Sequence, residues 1–406
     1  MRIVGLLAAF GLLAAGCGDP VSAPQVSGST SDAPAPSTAE PFEAGWTELP
    51  DAPITPRHAA TAVWANDTLL VFGGRDTAPC PPGADCRLPE QPPLRDGARF
   101  DPTDQTWTTI ADLPVALGYA TATVVADEVY IWSPGVGFDA ETSLFLSYDP
   151  ASDRWSELPP PPAAAGQWVD LEAGDGEVFF VQGSHENGWR PDLRYDITTQ
   201  TYAPLPEDPL APSYDRDLTY VGGMLVLTGI DVTASPGGAD GPAVYRAATW
   251  TDDGDWRELP SGSVAGFSPD WFAVDGTLVN PTPGGTDGGE VNPYNRVHPL
   301  GGVLDPRTGT WTDLPTAPDQ ASNPGLELGR ALGDPHLLIS SSGLALQPDR
   351  QRWIRPGVPN GAPEQGSAAV VGEGRLWIVG GAHWDAPTDA TLLDAAWVWT
   401  PPQSGS

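Results

Sequence analysis

The stretch Leu304-Asp305-Pro306-Arg307-Thr308-Gly309-Thr310-Trp311-Thr312-Asp313-Leu314-Pro315 decides the fold. It reads as the end of one strand, a tight Asp-Pro turn and a second strand carrying one large aromatic, closed by a Leu-Pro stop. Proline presets φ for the turn, and Gly309 relaxes the backbone where a side chain would crowd it. One such hairpin cannot bury its tryptophan alone. The pattern recurs, so copies can bury one another.

Phe100-Asp101-Pro102 leads to Trp107 and Leu113-Pro114, and Tyr148-Asp149-Pro150 leads to Trp155 and Leu158-Pro159. Tyr195-Asp196 leads to Tyr202 and Leu205-Pro206, with one aromatic exchanged for another. Trp256 precedes Leu259-Pro260, and Leu346-Gln347-Pro348 leads to Trp353 and Pro356. Trp46 with Leu49-Pro50 is a copy without its first half. A recurrence of about 50 residues marks a repeat architecture. Each copy has an upstream part as well. After Leu49-Pro50 comes a small-residue strand, Pro56-Arg57-His58-Ala59-Ala60-Thr61-Ala62-Val63. A turn at Asn66-Asp67 then leads into Leu69-Leu70-Val71-Phe72-Gly73-Gly74. Counterparts of this second strand start at Val129, Val178, Met224, Thr277, Leu337 and Leu376, so each unit reads as four strands.

The pattern Arg-x-x-x-Ala, apolar run-Gly-Gly, Tyr-Asp-Pro-x-(Thr/Ser)-x-x-Trp-x-x-Leu-Pro resembles the kelch repeat over residues 42–400. The likeness is strongest at Phe72-Gly73-Gly74 and Val379-Gly380-Gly381. It implies an all-β, seven-bladed β-propeller of four-stranded blades, similar to the central domain of galactose oxidase. The fourth-strand aromatics would pack between blades, and the glycine pairs would permit close backbone approach. Trp46 lacks three preceding strands, and the last unit, with Ala396-Trp397-Val398-Trp399, lacks a Leu-Pro copy after it. The N-terminal strand is therefore expected to join the last blade and close the ring, which removes exposed edges.

Composition agrees with frequent turns between aromatic strands. The 406 residues include 47 Gly, 47 Pro and 16 Trp. The net charge is −34, and all 19 basic residues are Arg. Such a chain repels nucleic acid, which excludes it as a partner. Residues 1–16 read as a signal peptide, since the apolar run Ile3 to Leu13 is too short to span a bilayer. Leu13-Ala14-Ala15-Gly16-Cys17 resembles a bacterial lipobox, which implies lipidation of Cys17 and an extracytoplasmic, membrane-anchored protein. Residues 17–41 are rich in Ser, Thr, Ala, Pro and Gly and read as a disordered tether. Residues 42–406 are the propeller, expected as a monomer. Cys80 and Cys86 sit in one short loop, and a disulfide is favoured over metal binding.

Catalytic devices are hard to find. Without Lys there is no Walker A motif, no Schiff-base lysine and no Ser-x-x-Lys site. His-Glu-x-x-His and Gly-x-Ser-x-Gly are absent, and Gly135-Val136-Gly137 lacks the third glycine of a dinucleotide site. Thr251-Asp252-Asp253-Gly254-Asp255-Trp256 is similar to a sialidase Asp-box, one residue short. Its carboxylates could hold Ca²⁺, though a solvated turn is the favoured reading. No other cofactor is expected. The loops between the second and third strands are long and rich in candidate anchors. They carry Arg75, His185, Trp189, Arg190, Tyr294, Arg296, His383, Trp384 and Asp385. Binding of a partner and mere covering of blade edges both stay open for these side chains. The expected function is a binding module for a surface protein or glycan. The alternative is a sugar-active enzyme, like galactose oxidase or a sialic-acid epimerase.

Overall fold

The structure is a computed structural model. It describes residues 41–402 except 82–83, 85, 87–88, 90, 135–142, 163–168, 186–187, 232–244, 253, 263–269, 284, 288–295, 299–300, 319–325 and 327. For 231, 285–287 and 296–298 it describes the backbone alone. The expected signal peptide, Cys17, residues 17–40 of the tether, Gly135-Val136-Gly137, Asp253 and Tyr294 lie outside the described residues. The described strands belong to one compact unit, Ala39–Ser406.

Seven four-stranded antiparallel sheets follow one another along the chain. Blade 1 runs through Thr61–Ala65, Thr68–Phe72, Gly97–Asp101 and Thr106–Thr109. Blade 2 comprises Thr121–Val125, Glu128–Ser133, Leu144–Asp149 and Arg154–Leu158. Blade 3 comprises Val169–Ala173, Glu177–Gln182, Leu193–Asp196 and Thr201–Pro204. In blade 4 the strands are Ser213–Val221, Met224–Asp231, Tyr245–Trp250 and Arg257–Glu258. Those of blade 5 are Phe272–Val274, Thr277–Asn280, Gly302–Asp305 and Thr310–Thr312. Blade 6 uses Leu332–Asp334, Leu337–Ile339, Ala345–Gln347 and Arg352–Ile354. Blade 7 takes Ala368–Gly372, Arg375–Val379 and Ala396–Thr400, and its outer strand is the N-terminal Gly45–Glu48. Trp46 pairs with Trp399 and Glu48 with Trp397, so the ring closes across the termini as the sequence predicts.

The Asp-Pro turns owe as much to aspartate as to proline. Asp101, Asp149 and Asp305 each accept a backbone N–H two residues on, from Thr103, Ala151 and Arg307. This is the Asx-turn geometry. The αL position taken by Gly309 (φ 70°) is filled in other blades by Gln105, Asp153 and Gln200 at φ 50–54°. The glycine pairs do allow close approach. At Gly74 (φ 90°) a Cβ would sit 2.8 Å from the His58 carbonyl oxygen, and at Gly381 (φ 100°) 2.5 Å from Pro363.

The core is a ring of apolar clusters, each shared by two adjacent blades. Val63, Leu70 and Phe72 of blade 1 pack with Val129, Ile131 and Tyr148 of blade 2. Leu69 and Phe100 of blade 1 pack with Trp377 and Val398 of blade 7. Blades 6 and 7 meet through Leu337, Ile339, Trp397 and Trp399. Within blades the repeat aromatics lie against their third-strand partners, as in Tyr148–Trp155 (ring centroids 4.6 Å) and Phe100–Trp107 (5.1 Å). Between blades 1 and 7, Trp64 stacks on Trp377 at 5.2 Å.

Each outer-strand aromatic also donates a hydrogen bond to a backbone carbonyl of the segment that follows the preceding blade's outer strand. The Trp107 indole reaches Pro50 O at 2.7 Å, Trp155 reaches Ala111 O at 2.8 Å, and the Tyr202 hydroxyl reaches Pro159 O at 2.5 Å. Trp256, Trp311 and Trp353 reach Pro206, Pro260 and Pro315 at 2.8–2.9 Å. Trp46 closes the circle on Pro356 at 2.9 Å.

Two loops read as irregular from sequence contain small hairpins, Gly285–Asp287 with Arg296–His298 and Ala382–Ala386 with Asp389–Leu392. Their strands are three to five residues long, and the second is bulged, too little period-2 signal to read.

Deleting residues 42–50 is expected to lower the melting temperature of the whole ring; an unchanged temperature would exclude closure by this strand. Trp311→Phe keeps the ring but loses the donor and is expected to cost about 1 kcal/mol in denaturant unfolding. Trp311→Ala, which also empties the packing site, is expected to cost ~3–5 kcal/mol.

Candidate functional site

Antiparallel strands alternate direction. The loops between strands two and three therefore share one face with the connections from strand four to the next blade. The remaining turns form the opposite face. The described loops that carry sequence-predicted residues lie on the first of these faces, and blade 3 shows how it presents them. Gln182, 6% exposed, donates through Nε2 to Gly188 O and accepts the Arg190 N–H at Oε1. His185, also buried, accepts the Ser213 N–H at Nδ1 (3.0 Å) and donates its own backbone N–H to Ser213 O. Its neutral form therefore carries the proton on Nε2. Burial first, and then Arg216, pushes its pKa down to about 4. Beneath the loop, Arg216 is fully buried between Asp192 (2.6 Å) and Asp208 (3.2 Å) and also donates to Gln182 O. This frame leaves Trp189 standing 49% exposed on a fixed loop.

A second group forms where blades 7 and 1 meet. The Trp384 indole donates to Gln365 Oε1 (3.1 Å), and Gln365 Nε2 donates to Cys80 O (3.2 Å). Cys80 is disulfide-bonded to Cys86, as expected. His383 pairs with Glu364 at 3.0 Å, and Asp385 accepts the Thr391 hydroxyl at 2.6 Å. Below them Arg57 makes a two-pronged pair with Asp96 and donates to Gly73 O.

The predicted residues that the structure describes thus fall into separate groups. Trp189 and Arg190 are exposed on blade 3, while His383, Trp384 and Asp385 sit on the hairpin of blade 7. Arg75 and His185 are 5% and 6% exposed, which corrects their reading as surface anchors. Arg75 turns inward to donate to Gln91 O and hold its long loop; His185 frames its own. Arg296 lies in the hairpin of blade 5, remote in sequence from both groups. Sequence reading missed Tyr119 and Val358, 50% and 49% exposed on the connections from blade 1 to 2 and from blade 6 to 7. Single apolar residues in connections carry no pattern. Tyr119 does have φ 63°, uncommon for an aromatic residue.

The inner strands add a feature without sequence signal. Carboxylates of one blade accept a backbone N–H from the next blade's inner strand region. Glu172 takes Tyr220 N–H at 2.8 Å, Asp217 takes Trp271 N–H at 2.9 Å, Asp270 takes Ala331 N–H at 2.8 Å, and Asp334 takes Gly374 N–H at 2.6 Å. Asp170 stands near them, and Arg330 approaches Asp270 at 3.6 Å. Crowding by neighbouring strands displaces water from these partly exposed carboxyls. Burial raises Glu172 to about 7 against the Tyr220 and Ala173 N–H groups. Burial, then the Glu172 charge, lifts Asp217 well above the usual range, and Asp170 is raised by burial too. Glu172, Asp217 and Asp170 are thus biased toward their protonated forms, in which a carboxyl can donate as well as accept a hydrogen bond.

Among the described residues no three His, Cys, Asp or Glu side chains gather in a way that could hold a metal ion. Asp252 of the Asp-box-like turn is paired with Arg194 at 2.8 Å.

No protein-family profile matches the chain. Among curated proteins it is similar to "Kelch-like protein terF" of Aspergillus terreus, 24% identical over 70% of this chain and 62% of that protein. It is also similar to "Kelch repeat and BTB domain-containing protein 3" of Homo sapiens, 28% identical over 26% of this chain and 16% of that protein. The matches span less than two thirds of these relatives. The solved "Structure of YjhT" covers 86% of this chain and 97% of its own at 14% identity, with a TM-score of 0.42. Seven four-stranded blades make this a β-propeller, and its sequence is similar to those of kelch-repeat proteins.

Glu172→Gln keeps an acceptor for Tyr220 and removes the ionisation. A raised carboxyl contributes stability that is full below its unfolded pKa of 4.5 and lost as pH rises through about 7. The variant is expected to gain on the order of 2 kcal/mol over wild type between pH 5 and pH 8. His185 works in the opposite sense, contributing above 6.5 and losing as pH falls toward about 4, so the difference between variants isolates Glu172. Denaturant unfolding at both pH values tests this; a pH-independent difference would refute it.

Proposed function

We propose that this propeller is a protein-binding module that engages its partner with the face carrying the two-to-three loops and the inter-blade connections. One observation carries the reading. The exposed large apolar side chains among the described residues are Tyr119, Trp189 and Val358, and all three stand on that face. Aromatic anchors on a rigid frame supply contact area at small conformational cost and dominate interface energies. Similarity to kelch-repeat proteins supports the same reading. Trp384 beside Asp385 on the blade 7 hairpin favours a glycan as the second reading, since sugars stack on aromatics and donate to carboxylates. The Leu13–Cys17 motif and the Cys80–Cys86 disulfide support a lipid-anchored protein in an oxidising, extracytoplasmic compartment.

The full chain, immobilised and exposed to envelope extract of its host, is expected to retain a specific protein, identified by mass spectrometry. Trp189→Ala is expected to weaken that binding by at least ~2 kcal/mol. Arg307→Ala, on a turn of the opposite face, should leave it unchanged. Equal capture by both variants would reject this face, and capture of glycan alone would select the second reading. Metabolic labelling with a fatty-acid analogue is expected to mark wild type and not Cys17→Ser; labelling of both would refute the anchor.

A further inference from the structure

The long loop of blade 1 is joined to the hairpin of blade 7 through one side chain. Gln365, on the connection into blade 7, is the hub. Its backbone N–H donates to Ala382 O at 3.2 Å, and its carbonyl accepts the Ala382 N–H at 2.8 Å, at the base of the hairpin. Its side-chain amide is used at both ends. Oε1 accepts the Trp384 indole N–H at 3.1 Å, and Nε2 donates to Cys80 O at 3.2 Å. Trp384 is thus oriented by an amide whose own orientation is set by one carbonyl of the Cys80–Cys86 loop.

Little else in that loop holds the carbonyl in place. Cys80 lies between Pro79 and Pro81, neither of which has an N–H to give. Among the described residues from Asp76 to Gln91, one backbone–backbone hydrogen bond is made, from Ala84 N–H to Pro81 O at 3.0 Å. The disulfide joins residues six apart and removes freedom that this run would otherwise have. It is also open to attack. Cys86 is exposed and Cys80 half-buried, and exposed disulfides are the ones that exchange with external thiols.

We propose that the Cys80–Cys86 disulfide is a redox switch that sets the order of the Trp384 side chain through Gln365. A dithiol supplies the chemistry. Its thiolate attacks Sγ of Cys86, forming a mixed disulfide and expelling the Cys80 thiolate, which takes a proton. The reagent's second thiolate then attacks its own sulfur in the mixed disulfide and expels the Cys86 thiolate, which is protonated in turn. The reagent leaves as a cyclic disulfide, and two electrons and two protons have passed to the cysteine pair. The freed loop no longer holds Cys80 O against Gln365, so the amide and the indole lose their fixed orientation. Recognition by Trp384 rests on the reading of this face as the partner face, whereas the coupling is read without a ligand.

The indole N–H signals of the full chain, labelled with ¹⁵N-tryptophan and recorded with and without dithiothreitol, test this. The Trp384 signal, identified by its loss in Trp384→Phe, is expected to exchange with water at least ~5-fold faster after reduction, as loss of one hydrogen-bonded constraint allows. Alkylation of Cys80 and Cys86 verifies that the pair is reduced. The signals of Trp155, Trp256 and Trp311, whose acceptors belong to the ring itself, should not change. Gln365→Ala is expected to give the fast exchange in the oxidised protein and no further change on reduction. Cys86→Ser is expected to match reduced wild type without any reductant. A Trp384 signal unmoved by reduction, a redox response that survives Gln365→Ala, or an equal change in the three ring signals overturns the proposal.

Discussion

Each blade of this ring is held to the one before it by an aromatic donor. The indole or phenol of an outer strand crosses to a backbone carbonyl just past the preceding outer strand, and this repeats seven times until Trp46 meets Pro356. Two requirements meet at each crossing. A half-buried aromatic gains by placing its N–H or O–H on an acceptor, and a strand end leaves a carbonyl without a ladder partner. Because proline has no N–H, it ends the ladder there while leaving its carbonyl available. At Pro50, Pro159, Pro206, Pro260 and Pro315 the Leu-Pro stop is thus both the terminator of one blade and the acceptor for the next.

The clusters of apolar side chains follow the same logic. No blade owns a core; each core forms only when two blades meet. Stability is then a property of the ring, and its closure cannot be left to chance at the termini. The chain solves this by lending its first strand to its last blade. With the outer belt and the shared cores fixing the blades, loops can vary without altering the frame. The buried Arg216 between Asp192 and Asp208 shows the frame extended into a loop, where removing one partner would strand a charge in the interior.

The inner strands carry a different connection. Between blades 3 and 7, carboxylates accept backbone N–H groups across the blade boundary. A carboxyl serves there whether ionised or protonated, so long as one oxygen faces the donor. Bringing Asp170, Glu172 and Asp217 together in little water favours their protonated forms. In a chain of net charge −34, that proton retention relieves repulsion where acids crowd most closely.

The sequence by itself determined the strands of the blades, their Asp-Pro turns, the number of blades and the terminal closure. All of these are written in local patterns, a few residues long, that recur at a near-constant spacing. The missing halves at Trp46 and after Trp399 are complementary without any knowledge of coordinates. The aromatic anchors were legible for the same reason. The tertiary structure alone decided which loop side chains face water. Arg75 and Trp189 occupy similar loops and similar residue classes suit both for binding, yet one is turned inward by Gln91 and the other outward by Gln182 and His185. It alone decided the acid wall, whose contacts join residues 40 to 61 positions apart with no motif at either end. Periodicity fixes what each repeat becomes. The rotation of one blade against the next fixes which side chains meet, and no single repeat contains that information.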